Sequence, residues 1–211
     1  MKVNEIFYSI QGESTFSGLP CVFVRLTGCN LRCNYCDTRY AYENGAELTI
    51  SDVLSEVRKF DCFLVEITGG EPLLQAETVE LVRKLIAAGN QVLIETNGTM
   101  DISVLPEGVI RIMDVKCPGS GEFNKMNQKN IEELNWDDNV KFVISNKDDF
   151  DWAEGFVRQF DLISKTNVLF SPCFGEVAPE VLAKWILQSN LPVRMQLQLH
   201  KYIWDPNKRG V

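Results

Sequence analysis

Histidine is nearly absent: His200 is the only one in 211 residues, against seven cysteines. Zinc and non-haem iron centres built from several imidazoles are thereby excluded, and so is a HExxH metalloprotease helix. Long apolar runs are missing as well. No stretch approaches the ~18 residues that a membrane-spanning helix needs. The opening MKVNEIFYSIQGES has no apolar signal core, because Glu5 breaks it early. Glycine (14) and proline (8) are too scarce for a collagen-like or low-complexity chain, and 45% hydrophobic residues are too many for a disordered one. Basic residues are in deficit: 21 Lys and Arg face 29 Asp and Glu, a formal net charge of −8. Such a surface repels polyanions, so no nucleic-acid partner is expected. No linker, repeat or charge block divides the sequence. The expectation is one cytoplasmic domain over residues 1–211, with no membrane partner.

What is present is an alternation of short apolar runs with helical patterns. The runs predict strands over 21–26, 63–67, 91–95, 109–114, 140–144 and 168–171, with a possible further strand over 193–197. Near-continuous apolar strands joined through helices point to a parallel sheet covered on both faces. Thr49-x-x-Asp52 is a capping-box start, after which Val53, Leu54, Val57 and Phe60 share a face. Val79, Val82, Leu85 and Ile86 do the same in a helix ending before Gly89. A third helix has Pro179 in its first turn and Val181, Leu182, Trp185 and Ile186 inward. Residues 116–138 lack periodicity and predict a loop or short helix. Glycines and small polar residues follow strand after strand, as in Thr27-Gly28-Cys29, Thr68-Gly69-Gly70-Glu71 and Thr96-Asn97-Gly98. In a β/α barrel the strand ends share one rim, where the chemistry sits. About six βα units predict an α/β fold with a partial, open barrel.

Cys29-Asn30-Leu31-Arg32-Cys33-Asn34-Tyr35-Cys36 has the spacing C-x3-C-x2-C directly after the first strand. Three thiolates on a curled loop can converge on one inorganic core, and zinc and iron–sulfur clusters are the candidates. Zinc would want a fourth ligand, and no Cys or His follows at the usual spacing. On a 4Fe–4S cube three thiolates leave one iron open, a reactive arrangement. The polar neighbours Asn30, Arg32, Asn34 and Asp37 argue against three buried core thiols.

This spacing, with an aromatic before the last cysteine, resembles the radical S-adenosylmethionine (SAM) superfamily. Further segments resemble one of its families, the 7-carboxy-7-deazaguanine synthases: Ile10-Gln11-Gly12-Glu13, Phe23 to Cys29, Cys36-Asp37-Thr38, Thr68 to Pro72, Glu95 to Gly98, and Leu199-His200-Lys201 through Val211. The resemblance implies a partial (βα)6 barrel with shortened helices, holding a 4Fe–4S cluster on Cys29, Cys33 and Cys36. It implies SAM near Tyr35, Asp37, Gly70, Glu71, Thr96, Asn97, Asp114, Val115, Lys116 and Ser171. The carboxylate of Glu71 suits the SAM ammonium, and Asp114-Val115-Lys116 stands where relatives carry Ser-Pro-Lys. It implies Mg²⁺ on the Thr38 hydroxyl, and a pterin substrate, 6-carboxy-5,6,7,8-tetrahydropterin, at Ile10, Gln11, Gly12, Glu13, Arg25, Thr68 and Val211. Arg25 suits bidentate capture of a carboxylate, and Gln11 and Glu13 suit the pterin edge. At the tail, Trp204 and Pro206 act as anchors, Gly210 allows a turn, and Lys208 and Arg209 pin the segment to acidic neighbours.

The implied reaction contracts the pterin ring to 7-carboxy-7-deazaguanine with loss of ammonia, a lyase activity feeding queuosine and related 7-deazapurines. No residue is catalytic beyond the cofactor ligands. A flavodoxin- or ferredoxin-type electron donor and a homodimer complete the implied set. Cys21 and Cys62 read as core residues, Cys117 and Cys173 as rim-loop residues able to ligate a second cluster, and His200 as pocket-lining or packed. Two rival readings are a glycyl-radical-enzyme activase and a non-catalytic iron–sulfur carrier or redox sensor.

Overall fold

In the computed structural model, which describes residues 1–211, the elements run β1 (Lys2–Ile10), β2 (Pro20–Leu26), β3 (Ala46–Glu47), α1 (Ile50–Val57), β4 (Leu64–Gly69), α2 (Thr78–Ala87), β5 (Gln91–Thr96), β6 (Val109–Asp114), β7 (Asn139–Ile144), α3 (Lys147–Gln159), β8 (Asn167–Pro172), α4 (Pro179–Ser189), β9 (Arg194–Met195) and α5 (His200–Ile203). The strands form one sheet in the order β3-β1-β2-β4-β5-β6-β7-β8-β9. From β2 to β9 every neighbouring pair is parallel, while β1 is antiparallel to β2 and β3. The outer strands β3 and β9 do not pair, so the barrel is open. Between β5 and β6 no helix forms, and between β6 and β7 only three 3-10 turns do, which is the shortening expected.

The six main strands fall where the apolar runs place them. The possible strand over 193–197 shrinks to Arg194–Met195, freeing Gln196 and Gln198 for another task. The Thr49–Asp52 capping box forms: Asp52 N donates to Thr49 Oγ1 at 3.1 Å and Thr49 N to Asp52 Oδ2 at 2.9 Å. That helix stops at Val57, short of Phe60, whose ring stacks on Tyr8. In α2 the buried face is Thr78, Leu81, Val82 and Leu85, one step round from the face centred on Val79. In α4 only Leu182 is fully buried, and Val181 is exposed.

Besides the short β3 and α5, two longer elements escape the sequence patterns. β1 mixes Lys2, Asn4 and Glu5 with apolar residues, and a register shift between Val3 and Glu5 breaks its alternation. α3 carries many charges, and its inward residues Phe150, Ala153, Phe156 and Val157 are diluted among them. Its start was nevertheless marked. Asn146 caps it, accepting from Asp149 N at 2.9 Å.

Side chains alternate across the sheet and give its two faces different chemistry. Val22, Val24, Val65, Ile67, Val92, Ile94, Val140 and Phe142 point to the helices and join a 33-residue core. The opposite face has an apolar floor of Cys21, Phe23, Leu64, Leu93 and Ile112. Two residues further along each strand, toward the rim, that face turns polar: Arg25, Glu66, Glu95 and Asp114. The cleft rests on this step.

Candidate active site

The cleft has a volume of about 700 Å³ and opens at the C-terminal ends of the parallel strands, within the range typical of small-molecule sites. Cys29, Cys33 and Cys36 line one side of it, with Tyr35, Asp37 and Thr38. Gly70, Thr96, Asn97, Asp114 and Lys116 line it from the strand ends. Ile10, Gln11, Gly12, Glu13, Arg25, Thr68 and Val211 line the remainder. Three expected residues lie elsewhere. Glu71 (1% exposed), Val115 (1%) and Ser171 (1%) are buried and do not line the cleft.

Glu71 shows why. Its carboxylate accepts from Thr96 Oγ1 at 2.9 Å, Asn97 N at 2.7 Å and Leu73 N at 3.0 Å. It is therefore spent on tying the end of β4 to the end of β5, and is not free for an ammonium. Val115 belongs to the helix-side core and its N–H donates to Lys141 O. Ser171 lies on the cleft-side face of β8, in register with the cleft residue Val143, but is itself covered. The glycines beside Glu71 behave as expected. Gly69 has φ +142°, and a Cβ on Gly70 would overlap Gly28 O and Cys29 Cβ, so only a bare backbone lets this turn abut the cysteine loop.

All seven cysteines are free thiols. No three His, Cys, Asp or Glu side chains converge tightly enough to hold a single ion. The loop thus offers three soft donors on one cleft wall without a mononuclear site, which suits a multi-iron core better than zinc. Burial pushes Cys33 up to about 11 and raises Cys29, so these thiols hold their protons until a metal displaces them. The loop is braced on its outer side: Arg32 N donates to Glu122 Oε1 at 2.7 Å, and Asn97 Nδ2 to Asn30 Oδ1 at 3.0 Å. Cys117 is fully buried in the helix-side core, and Cys173 lines the cleft.

The polar step on the sheet is an ion network that sequence patterns alone missed. Lys141 Nζ lies 2.8 Å from Glu13 Oε2, 2.5 Å from Glu95 Oε1 and 3.5 Å from Asp114 Oδ2. Asp114 Oδ2 also pairs with Lys116 Nζ at 2.8 Å. Burial opposes the Glu95 charge, yet Lys141 and a hydrogen bond from Thr68 Oγ1 hold its carboxyl down at about 2. Burial likewise opposes the Lys116 charge, and Asp114 outweighs it, keeping the amine charged. Glu66 is the exception: burial and the charges of Glu95 and Glu13 push it up to about 8. Single charged residues inside otherwise apolar strands were the signal available for Glu66, Glu95 and Lys141.

The loop after β1 is held from the far side of the sheet. Glu13 accepts from Gln196 Nε2 and Gln198 Nε2, both at 3.0 Å. Ser14 N donates to Gln196 Oε1 at 2.6 Å, and Thr15 N to Asn139 Oδ1 at 3.0 Å. Leu199 N donates to Gly12 O, where a Cβ on Gly12 would overlap the His200 ring. The open barrel is therefore clasped by side chains where no strands pair. Gln11 is also occupied, accepting from Glu13 N and donating to Glu66. Arg25 Nε pairs with Glu5 Oε1 at 2.8 Å, leaving its two Nη groups without a protein partner. The tail is fixed differently from expectation: Lys208 and Arg209 form no ion pair, and Arg209 stacks on the Tyr40 ring at 3.9 Å. Asp37 is paired with Lys201 Nζ at 2.6 Å. Gln198 is a cleft residue that no sequence motif marked, while Lys201 and Arg209 enter the cleft from the terminal segment quoted for the resemblance.

Comparison with known proteins agrees with this geometry. The Radical SAM superfamily signature matches residues 23–116, the stretch from β2 past the cysteine loop to Lys116. A 7-carboxy-7-deazaguanine synthase of Koribacter versatilis is 44% identical over 226 aligned positions, covering 100% of both chains. That of Chlorobaculum tepidum is 44% identical, covering 100% of this chain and 97% of the relative. In fold, the crystal structure of QueE from Escherichia coli superposes with a TM-score of 0.76 at 21% identity, covering 93% of each chain. With full-length identity at this level, the chain belongs to the 7-carboxy-7-deazaguanine synthase family of radical SAM enzymes.

Proposed function

We propose that the chain converts 6-carboxy-5,6,7,8-tetrahydropterin to 7-carboxy-7-deazaguanine and ammonia. The observation that carries this is the joining of two unlike halves in one cleft: three free thiols on one wall, and a polar wall of Gln11, Glu13, Arg25 and Thr68 on another. When bound, the 4Fe–4S cluster and SAM supply the radical chemistry. The protein's part is placement. Gly69 and Gly70 let backbone approach the cofactor closely, and Thr96 and Asn97 are held by Glu71 at the adjoining strand end. The free Nη groups of Arg25 face the cleft, where they suit the substrate carboxylate. Glu13, fixed by Lys141, Gln196 and Gln198, suits amino and ring N–H donors.

Thr38 suits Mg²⁺. Its hydroxyl donates to Asp37 Oδ1 at 2.9 Å, which leaves the oxygen as an acceptor for a hard cation that keeps several waters. Thr38→Ala would lower turnover and weaken its Mg²⁺ dependence while sparing the cluster, and Thr38→Ser would retain both. Normal Mg²⁺ stimulation in the alanine variant would remove this site. A flavodoxin- or ferredoxin-type donor and a homodimer complete the reading on family resemblance. Neither a glycyl-radical activase nor an electron carrier accounts for the full-length relatives or the second, polar wall. The test is anaerobic reconstitution with iron and sulfide, then incubation with SAM, reductant and the carboxytetrahydropterin. Formation of 7-carboxy-7-deazaguanine is expected, and SAM cleavage without that product would overturn the assignment.

A further inference from the structure

Glu66 lies on β4, two residues before Thr68 on the same face, and forms part of the cleft wall although only 4% exposed. Its Oε2 accepts from Gln11 Nε2, and no protein donor reaches Oε1. A buried carboxylate left this way would be costly, since a buried charge needs a partner. None is to hand. From the loop after β1 and from β5 it faces the carboxylates Glu13 and Glu95, and from β7 it faces Lys141, whose ammonium is already bonded to both of them. Arg25 on the neighbouring strand is bonded to Glu5, and Lys116 to Asp114.

Charge counting gives the same answer. Glu13, Glu66, Glu95 and Asp114 share this polar strip with Lys141 and Lys116, four acids against two cations, and the strip's third cation, Arg25, is taken by Glu5. One proton on the strip removes a unit of that excess, and Glu66 is the acid with no cation. With the proton in place the group has two faces. Oε2 serves as a carbonyl for the Gln11 amide, and Oε1 becomes a donor.

We propose that Glu66 is a further ligand-recognising residue, presenting a carboxyl O–H from Oε1 to an acceptor atom, a carbonyl oxygen or ring nitrogen, on the edge of the bound heterocycle. This deepens the function proposed above and rests on it. Glu66 and Gln11 then act as one unit: the amide orients the acid, and the acid reads the ligand. Burial and the neighbouring carboxylates hold the proton on Glu66 at neutral pH and release it near pH 8.

The test uses reconstituted holoenzyme with SAM and the carboxytetrahydropterin, comparing Glu66→Gln and Glu66→Ala with the parent across pH. The amide keeps a neutral donor and acceptor, so Glu66→Gln should stay within about threefold of the parent kcat/KM at pH 7 and lose the fall above about pH 8. Glu66→Ala should raise KM about tenfold or more while iron content and SAM cleavage hold. A glutamine variant more than about tenfold down at pH 7 would mean the charge is needed, and the proposal fails. It fails equally if the alkaline limb persists in that variant, or if Glu66→Ala leaves KM unchanged. Should the alanine variant not fold, the glutamine pH profile decides alone. A parent enzyme that binds the pterin without turning it over overturns the reaction but not Glu66, whose effect is then read as the same pH dependence in binding. No binding at all overturns both.

Discussion

Individual side chains in this cleft do different work from what their type suggests, and partners decide which. Glu66 and Glu71, five residues apart, are both buried glutamates. Glu71 receives backbone and hydroxyl donors and becomes a strut; Glu66 receives one amide and keeps its proton. The stability consequence has a definite sign. The folded state holds the Glu66 proton up to about pH 8, while an unfolded chain loses it in the ordinary carboxylate range. Between those points the folded state binds more protons, so the parent loses stability as pH rises relative to a variant that does not titrate. The melting-temperature gap between Glu66→Gln and the parent should widen in favour of glutamine from pH 5.5 to 8.5. A constant gap would show that Glu66 titrates normally. Among cysteines, Cys33→Ala should abolish iron loading, whereas Cys117→Ala should retain it because Cys117 sits in the helix-side core. Iron content and the visible absorption of reconstituted protein would separate the two.

At the scale of elements, legibility in the sequence followed chemical contrast. The parallel strands were readable because single charged residues are all that interrupt their apolar runs, and the cysteine loop because no packing role demands three thiols in eight residues. β1 and α3 were not, since a bulge blurs one pattern and surface charge dilutes the other. Within the site, Val115 turns from the cleft for a plain reason, whereas Ser171 keeps the cleft-side face beside Val143 and is covered there. Proximity to a strand end does not say which face of the sheet a residue takes, and a one-residue step reverses it. Asp114 and Lys116 point to the cleft and Val115 between them to the core. The turn after β4 yields a prediction of its own. Thr96→Val removes the hydroxyl donated to Glu71 and should cost about 1–3 kcal/mol in denaturant unfolding. Gly70→Ala should instead lower iron loading, because its methyl collides with the cysteine loop. Full loading in Gly70→Ala would show that the two loops can part without harm.

Across the whole molecule, the two halves of the cleft differ in the span of sequence that builds them. The cysteine loop is braced by Asn97, Ser120 and Glu122, partners 67 to 90 residues away. The polar wall needs the clasp, in which Ser14 meets Gln196 and Glu13 meets Gln198 across 182 and 185 residues. Gln196→Ala should therefore speed amide hydrogen exchange at Ser14 and raise the substrate KM, with iron loading unchanged. Unaltered exchange would show that the clasp does not hold the loop. Contacts of such unequal span carry unequal closure cost, about 0.6 kcal/mol for each doubling of loop length, which favours the shorter ones. During refolding the cysteine loop and its braces can settle while the clasp is still open. A chain at that stage can take up iron and has no means of gripping a pterin, so competence for the metal can precede competence for the substrate.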